Sequence, residues 1–226
     1  MTQPAPARRA IDLSHEIHDG LITHPGLPAP RITTFLSHEA SVGRYAPGTT
    51  FEIKGIEMVA NTGTYLDMPA HRFVGAADLA ALALAQVVDL PGLLVDVSEQ
   101  PGRAVAADAF AGLDLAGRAV LVRTGWDRHW GTPAYLADNP FLTADAAAAL
   151  VAAGAAAVGI DSLNVDALDD PSRPAHTAIL AAGIPLVEHL CGLEQLPRDG
   201  FRFFAVPPRI TGMATFPVRA FALLDG

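Results

Sequence analysis

Residues 143–188 read TADAAAALVAAGAAAVGIDSLNVDALDDPSRPAHTAILAAGIPLVE, and their rhythm decides the fold. Alanine, the strongest helix former, fills most of residues 144–153, and Thr143 stands where an N-cap hydroxyl accepts the first free N–H groups. Gly154 follows as a stop, because glycine readily takes the left-handed conformation that ends a helix. The pattern predicts a helix over residues 143–153, then a strand over 155–160 that ends at Asp161. Pro174 suits the first position of a second helix and Gly183 its end, which places that helix at 174–182 and a further strand at 184–188. Upstream, residues 119–124 form another β-rich run. Two successive strand–helix–strand passages with short links imply parallel strands joined by right-handed crossovers.

The front half has a different rhythm. Residues 11–17 alternate apolar and polar, and residues 31–37 and 50–60 are strand candidates rich in Ile, Thr, Phe and Val. Between them, residues 24–30 carry three prolines, which deny both helix and central strand and leave an extended loop. A short helix is expected at 79–84 and a strand at 92–97, while strands over 201–206 and 217–224 close the chain. Residues 1–8 read as a flexible tail and residues 9–226 as one domain. The fold class is α/β, a mixed sheet with a β-rich N-terminal half and βαβ units in the C-terminal half.

Composition narrows the function. The chain has 226 residues, 50% apolar and 17% charged, with one cysteine and a net charge of −9. That apolar content excludes a disordered chain. An acidic surface repels nucleic acid and anionic lipid, and no apolar run is long enough to span a bilayer, so neither partner is expected. Cys191 has no partner for an internal disulfide, which fits a reducing cytoplasm. A small-molecule substrate is left as the expected partner.

The richest chemistry lies in Asn61-Thr62-Gly63-Thr64-Tyr65-Leu66-Asp67-Met68-Pro69-Ala70-His71. If extended up to Asp67, the segment projects Asn61, Gly63, Tyr65 and Asp67 to one face, and a turn at Pro69 brings His71 back beside Asp67. A carboxylate and an imidazole are the parts of a metal site or of an acid–base pair. His176, in the first turn of the second helix, and Glu188, at the end of the next strand, lie where their side chains can converge at one end of the sheet. Asp161 sits at the carboxyl end of a parallel strand, where open α/β sheets place ligands; it either binds substrate or holds its own loop through Asx hydrogen bonds. His24 in the proline loop is placed near a ligand. Trp126, with His129 and Trp130, forms an aromatic cluster that faces a pocket or packs.

These residues together resemble the bacterial kynurenine formamidase and cyclase family, which includes isatin hydrolase. The family signature runs His-x-Gly-Thr-His-x-Asp-x-Pro-x-His, matched here from Asn61 to His71. The resemblance extends over nearly the whole chain, through Asp12-Leu13-Ser14, His24-Pro25-Gly26, Leu121 to Trp126, Gly159-Ile160-Asp161-Ser162, Pro174-Ala175-His176, Ile184 to Glu188 and Pro217-Val218-Arg219-Ala220. It implies a swivelling β/β/α domain, a homodimer or homotetramer, and metal-dependent hydrolysis of amides with zinc or manganese. Carried over by position, Asp67, His176 and Glu188 would bind metal, and His71 would be the acid–base residue.

Asn61 and Tyr65 stand where the family has two ligand histidines. An amide oxygen and a phenol are poor zinc ligands, so a single divalent ion is expected, with Tyr65 or Asn61 polarising a carbonyl. Two further readings remain open. One is a metal-free cyclase, isomerase or lyase in which His71 is base and Tyr65 acid; the other is a non-catalytic homologue that binds a small molecule.

Overall fold

Thr143 caps its helix as expected: its hydroxyl accepts from the Ala146 N–H, and Gly154 follows at φ +73°. The computed structural model describes residues 8–224, and the tail expected over residues 1–8 lies, Arg8 apart, outside them. The strands in chain order are β1 (Arg9–Asp12), β2 (Arg31–Leu36), β3 (Ile53–Glu57), β4 (Tyr65–Asp67), β5 (Leu90–Asp96), β6 (Ala104–Val105) and β7 (Ala119–Arg123). They continue with β8 (Phe141–Leu142), β9 (Ala157–Ile160), β10 (Leu186–Glu188), β11 (Phe201–Phe204), β12 (Thr215–Pro217) and β13 (Phe221–Leu224). The α-helices are α1 (His38–Ser41), α2 (Ala144–Ala152) and α3 (Pro174–Ala181).

Nine strands form one mixed sheet in the order β1-β13-β11-β5-β7-β9-β10-β4-β12. Its centre, β5-β7-β9-β10, is parallel, as the two βαβ passages require. Antiparallel strands flank it on both sides. Strand alternation divides the core: Val120, Val122, Val158 and Ile160 pack with Leu150 of α2 and Ile179 of α3. Leu121 and Leu94 face the other layer, with Phe201 and Phe203. At Gly92 the strands leave no room for a side chain, since a Cβ would stand 1.9 Å from the Phe201 ring. The sheet is curled, so its two edges approach: the Val218 N–H reaches the Thr64 carbonyl at 3.0 Å, and the Leu13 N–H reaches Ala220 at 2.9 Å.

Two expected elements differ. Residues 79–84 are turns leading into a single 3-10 turn at Leu84–Gln86, because the Asp78 carboxylate takes the Ala80 and Ala81 N–H groups and fixes an Asx turn. The strand expected over 217–224 splits into β12 and β13, which lie toward opposite edges of the sheet. Residues 218–220 cross between them.

Candidate active site and metal centre

Strand register assembles the site. Tyr65 on β4 lies opposite Glu188 on β10, and Asp67 lies opposite Thr215 on β12. Accordingly the Tyr65 hydroxyl donates to Glu188 Oε2 at 2.8 Å, and the Thr215 hydroxyl donates to Asp67 Oδ1. The 3-10 turn at Pro69–His71 then returns His71 to within 3.8 Å of Asp67. Its Nδ1 is 3.0 Å from Thr215 Oγ1, whose proton is given to Asp67. The ring therefore donates from Nδ1 and keeps the Nε2 lone pair for other work.

Before β4 the chain is not extended. Gly63 has φ +64°, and a Cβ there would meet Ile17 Cγ1 at 2.9 Å, so glycine is required by both conformation and space. The simple alternation expected from Asn61 to Asp67 is thus broken at Gly63. Asn61 nevertheless lines the same cavity as Tyr65, His71, His176 and Glu188, a space of about 470 Å³.

His176 is the pivot. Asp166, fully buried, accepts from the Ala175 N–H at 2.7 Å, from the His176 N–H at 3.1 Å and from His176 Nδ1 at 2.7 Å. One carboxylate thus satisfies the free N–H groups at the start of α3 and fixes the imidazole tautomer. Nε2 is left pointing between two buried carboxylates, 3.7 Å from Asp67 Oδ2 and 3.7 Å from Glu188 Oε1. Asp67 Oδ2 is buried and has no hydrogen-bond partner among the described residues.

Charge tells the same story. Burial pulls His176 down, but Glu188, Asp166 and Asp67 outweigh it and hold the imidazole up at about 10. Burial pushes Glu188 up to about 7 against the pull of His176. The cluster therefore calls for positive charge at Nε2. The donor chemistry, an orphaned carboxylate oxygen and a carboxylate-oriented imidazole, fits a divalent cation. Ligand atoms of Asp67, His71 and His176 all lie within 4.8 Å of one another, the spacing that a shared ion needs.

His24, placed near a ligand in the sequence, lines the same cavity and joins Tyr65 to a network whose other members the sequence did not reveal. His24 Nε2 is 2.8 Å from the Tyr65 oxygen, and His189 Nε2 is 3.3 Å from both. His189 Nδ1 meets the Tyr135 hydroxyl at 2.8 Å. Burial drives His24 down to about 4 and His189 well below its usual value, while it raises the Tyr65 phenol. All three stay neutral near pH 7, and Tyr65 keeps its proton.

Two residues singled out in the sequence stand apart from this cavity. Asp161 is buried and accepts from the Thr124 N–H at 2.7 Å and the Gly125 N–H at 2.8 Å, as well as from the Thr124 hydroxyl. That is the loop-holding alternative. Trp126 donates from Nε1 to the Tyr135 carbonyl at 3.1 Å and borders a separate space of about 130 Å³. The residues that sequence reasoning passed over are Asp166, Thr215, His189, Asn164 and Arg173. Only Asp166 left a trace, as an acidic residue upstream of a Pro-initiated helix.

Fold and site now define the class. A family model described as "Putative cyclase" matches residues 11–167, and the chain belongs to that family. It is 31% identical to a kynurenine formamidase from Salinibacter ruber over 215 residues, 93% of this chain and 95% of the relative. Isatin hydrolase A from Labrenzia aggregata, solved bound to benzyl benzoate, shares the fold at a TM-score of 0.83 and 23% identity, covering 97% of this chain and 94% of that one. A protein described as a predicted metal-dependent hydrolase from Bacillus stearothermophilus superposes with a TM-score of 0.76 at 26% identity, over 96% and 98% of the two chains.

Proposed function

We propose that the protein is a metal-dependent hydrolase of linear or cyclic amides that uses one divalent ion, zinc or manganese. The observation that carries this is the buried Asp67 Oδ2, unpartnered among the described residues, facing His176 Nε2 across 3.7 Å. Asp67, His176 and Glu188 would hold the ion. Bound there, it would supply Lewis acidity toward water and the scissile carbonyl. The names of the Salinibacter and Bacillus relatives support the reading.

The chain's own groups carry the protons. Oxygen from water bonds to the carbonyl carbon, the C–N bond breaks, and a proton from that water moves to the departing nitrogen. His71 is half-exposed and keeps Nε2 as an acceptor, so it takes that proton and delivers it. Tyr65 and Asn61 form one wall and are the donors to the carbonyl oxygen. Tyr65 would exchange its Glu188 bond for one to substrate. A second arrangement is favoured by the compact Asp67, His71 and His176 set, in which His71 is itself a ligand.

Further parts of the proposal follow from the surface. The β2–β3 hairpin is separate from the main sheet and exposes Phe35 at 81% with Ile32, Ile53 and Ile56. An isolated hairpin is marginal in water, so a homodimer or homotetramer that covers it is proposed. Residues 9–226 are proposed to act as one domain in the cytoplasm. No helix among the described residues is long and apolar enough to cross a membrane. The test is hydrolysis of formanilide and of a benzo-fused lactam, before and after dialysis against a chelator. Activity lost on chelation and restored by zinc or manganese supports the reading, and chelator-resistant turnover refutes it.

A further inference from the structure

The Tyr65 hydroxyl is crowded by polar atoms. It donates to Glu188 Oε2 at 2.8 Å, while His24 Nε2 stands 2.8 Å and His189 Nε2 3.3 Å from its oxygen. A phenol has one proton to give and two lone pairs to fill. With the proton on Glu188, the 2.8 Å contact to His24 is a hydrogen bond only if His24 carries its proton on Nε2. The opposite tautomer would set two lone pairs against each other.

The tautomer of His189 is fixed from its other end. Its Nδ1 meets the Tyr135 hydroxyl at 2.8 Å, and among the described residues that buried hydroxyl has no other hydrogen-bond partner. Tyr135 therefore donates to Nδ1, because the reverse would leave a buried O–H unsatisfied. A neutral imidazole then carries its proton on Nε2, the atom turned toward Tyr65. The 3.3 Å between the two Nε2 atoms is thus the spacing of two donors converging on one oxygen. Asn61 interacts with the same hydroxyl, and with the phenol proton given to Glu188 its amide too can only donate there.

The bonds all run one way: Tyr135 to His189, His24 and His189 to Tyr65, and Tyr65 to Glu188. In such a chain each bond polarises the next, so the N–H groups on the phenol oxygen strengthen the O–H it offers onward. The phenol proton cannot turn inward, because N–H groups occupy both other directions. Its one acceptor direction leads to Glu188, which lines the same cavity as Tyr65 and His24.

We propose that His24 and His189 are positioning residues that hold Tyr65 as an obligate hydrogen-bond donor, its proton aimed at the oxygen that gains charge in the reaction. A carbonyl oxygen that displaces Glu188 Oε2 meets a proton already oriented and polarised, and such a donor needs no reorganisation as charge develops. The proposal rests on the hydrolase reading of this cavity.

The test measures kcat and KM for formanilide in the metal-loaded wild type, Tyr65→Phe, His24→Leu, His24→Gln and the double variant Tyr65→Phe/His24→Leu. Tyr65→Phe should lower kcat about 100- to 1,000-fold, the loss of one oxyanion donor. His24→Leu should lower kcat about 10-fold with KM little changed, the worth of one neutral hydrogen bond. His24→Gln, whose amide N–H replaces the imidazole Nε2–H, should restore most of that loss. In the Tyr65→Phe background, His24→Leu should cost nothing more. Equal losses with and without the Tyr65 hydroxyl would make His24 a direct substrate contact or a structural residue, and would overturn the proposal.

Carbon-13 NMR of protein labelled at tyrosine Cζ reads the same network without turnover. The chain has three tyrosines, which Tyr45→Phe and Tyr65→Phe assign. The Tyr65 resonance should move in His24→Leu and return in His24→Gln, while that of exposed Tyr45 stays in place. Tyr135→Phe removes the donor that fixes the His189 tautomer and should move the Tyr65 resonance too; no shift there refutes the role of His189. If no formamide is hydrolysed but the resonance moves as described, the hydrolase reading fails and the positioning stands. A Tyr65 resonance unmoved by His24→Leu refutes the positioning, whatever the turnover.

Discussion

Asp166→Asn isolates the part of the site that acts only by orientation. The carboxylate accepts three hydrogen bonds, from the Ala175 N–H, the His176 N–H and His176 Nδ1. Asparagine has the same shape but only one acceptor oxygen. If that oxygen serves the two His176 donors, the new NH₂ faces the Ala175 N–H, donor against donor. A buried donor left unsatisfied costs about 1–3 kcal/mol, and loss of charge assistance at the imidazole adds about 1 kcal/mol. The sum, roughly 2–4 kcal/mol, lowers Tm by about 4–16 °C for a chain of this length.

The functional consequence is separate from that loss. Without a carboxylate on Nδ1, the His176 imidazole is less basic and less firmly aimed, and metal affinity should fall about 10- to 100-fold. The control is Asp161→Asn, which also replaces a buried carboxylate that accepts three hydrogen bonds but lies outside the cavity. Both variants should lose stability in urea titrations. Only Asp166→Asn should lose affinity when zinc is titrated into metal-stripped protein by calorimetry. Equal losses of affinity in the two would refute the orienting role.

Other outcomes follow from the same structure. His15 stacks on Trp130 at 3.8 Å, has a buried Nε2 with no partner among the described residues, and is lowered by burial to about 4. Between pH 6.5 and 4 its proton binds the unfolded chain first, so this group's contribution to stability is lost as pH falls through that window. His15→Phe keeps the stacking, and its stability advantage over the wild type should grow from pH 7.5 to pH 5; an advantage independent of pH contradicts this. Gly92→Ala forces a methyl into the Phe201 ring and should cost about 1–3 kcal/mol by urea unfolding, whereas an unchanged midpoint would contradict the packing. Glu188→Gln should release the ion while His71→Gln retains it and loses turnover. Metal lost in His71→Gln would instead establish His71 as a ligand.

What the sequence made legible was whatever depends on near neighbours. Thr143, Gly154, Pro174 and Gly183 mark helix ends through local backbone chemistry, and both helices lie within a residue of where these signals place them. The family signature brought Asn61, Tyr65, Asp67 and His71 forward, and the turn at Pro69 returns His71 to Asp67 as its geometry implied. What stayed hidden depends on distant pairing. Thr215 is 148 residues from Asp67 and reaches it only because β12 pairs with β4. His189 follows Glu188 in sequence, yet its role behind Tyr65 comes from contacts with His24 and Tyr135. The split of residues 217–224 could not be read locally either, because it reflects the curling of the sheet rather than any break in strand propensity.

The central claim is that the Asp67 and His176 cluster holds a catalytic cation. Metal content by plasma mass spectrometry, on untagged protein purified without chelator, tests it most directly when run beside Asp67→Asn. The account predicts about one equivalent of zinc or manganese in the wild type, as a single site with an open position for water requires, and none in the variant. An active wild type that binds neither metal after incubation, or a variant that keeps its full complement, would contradict it.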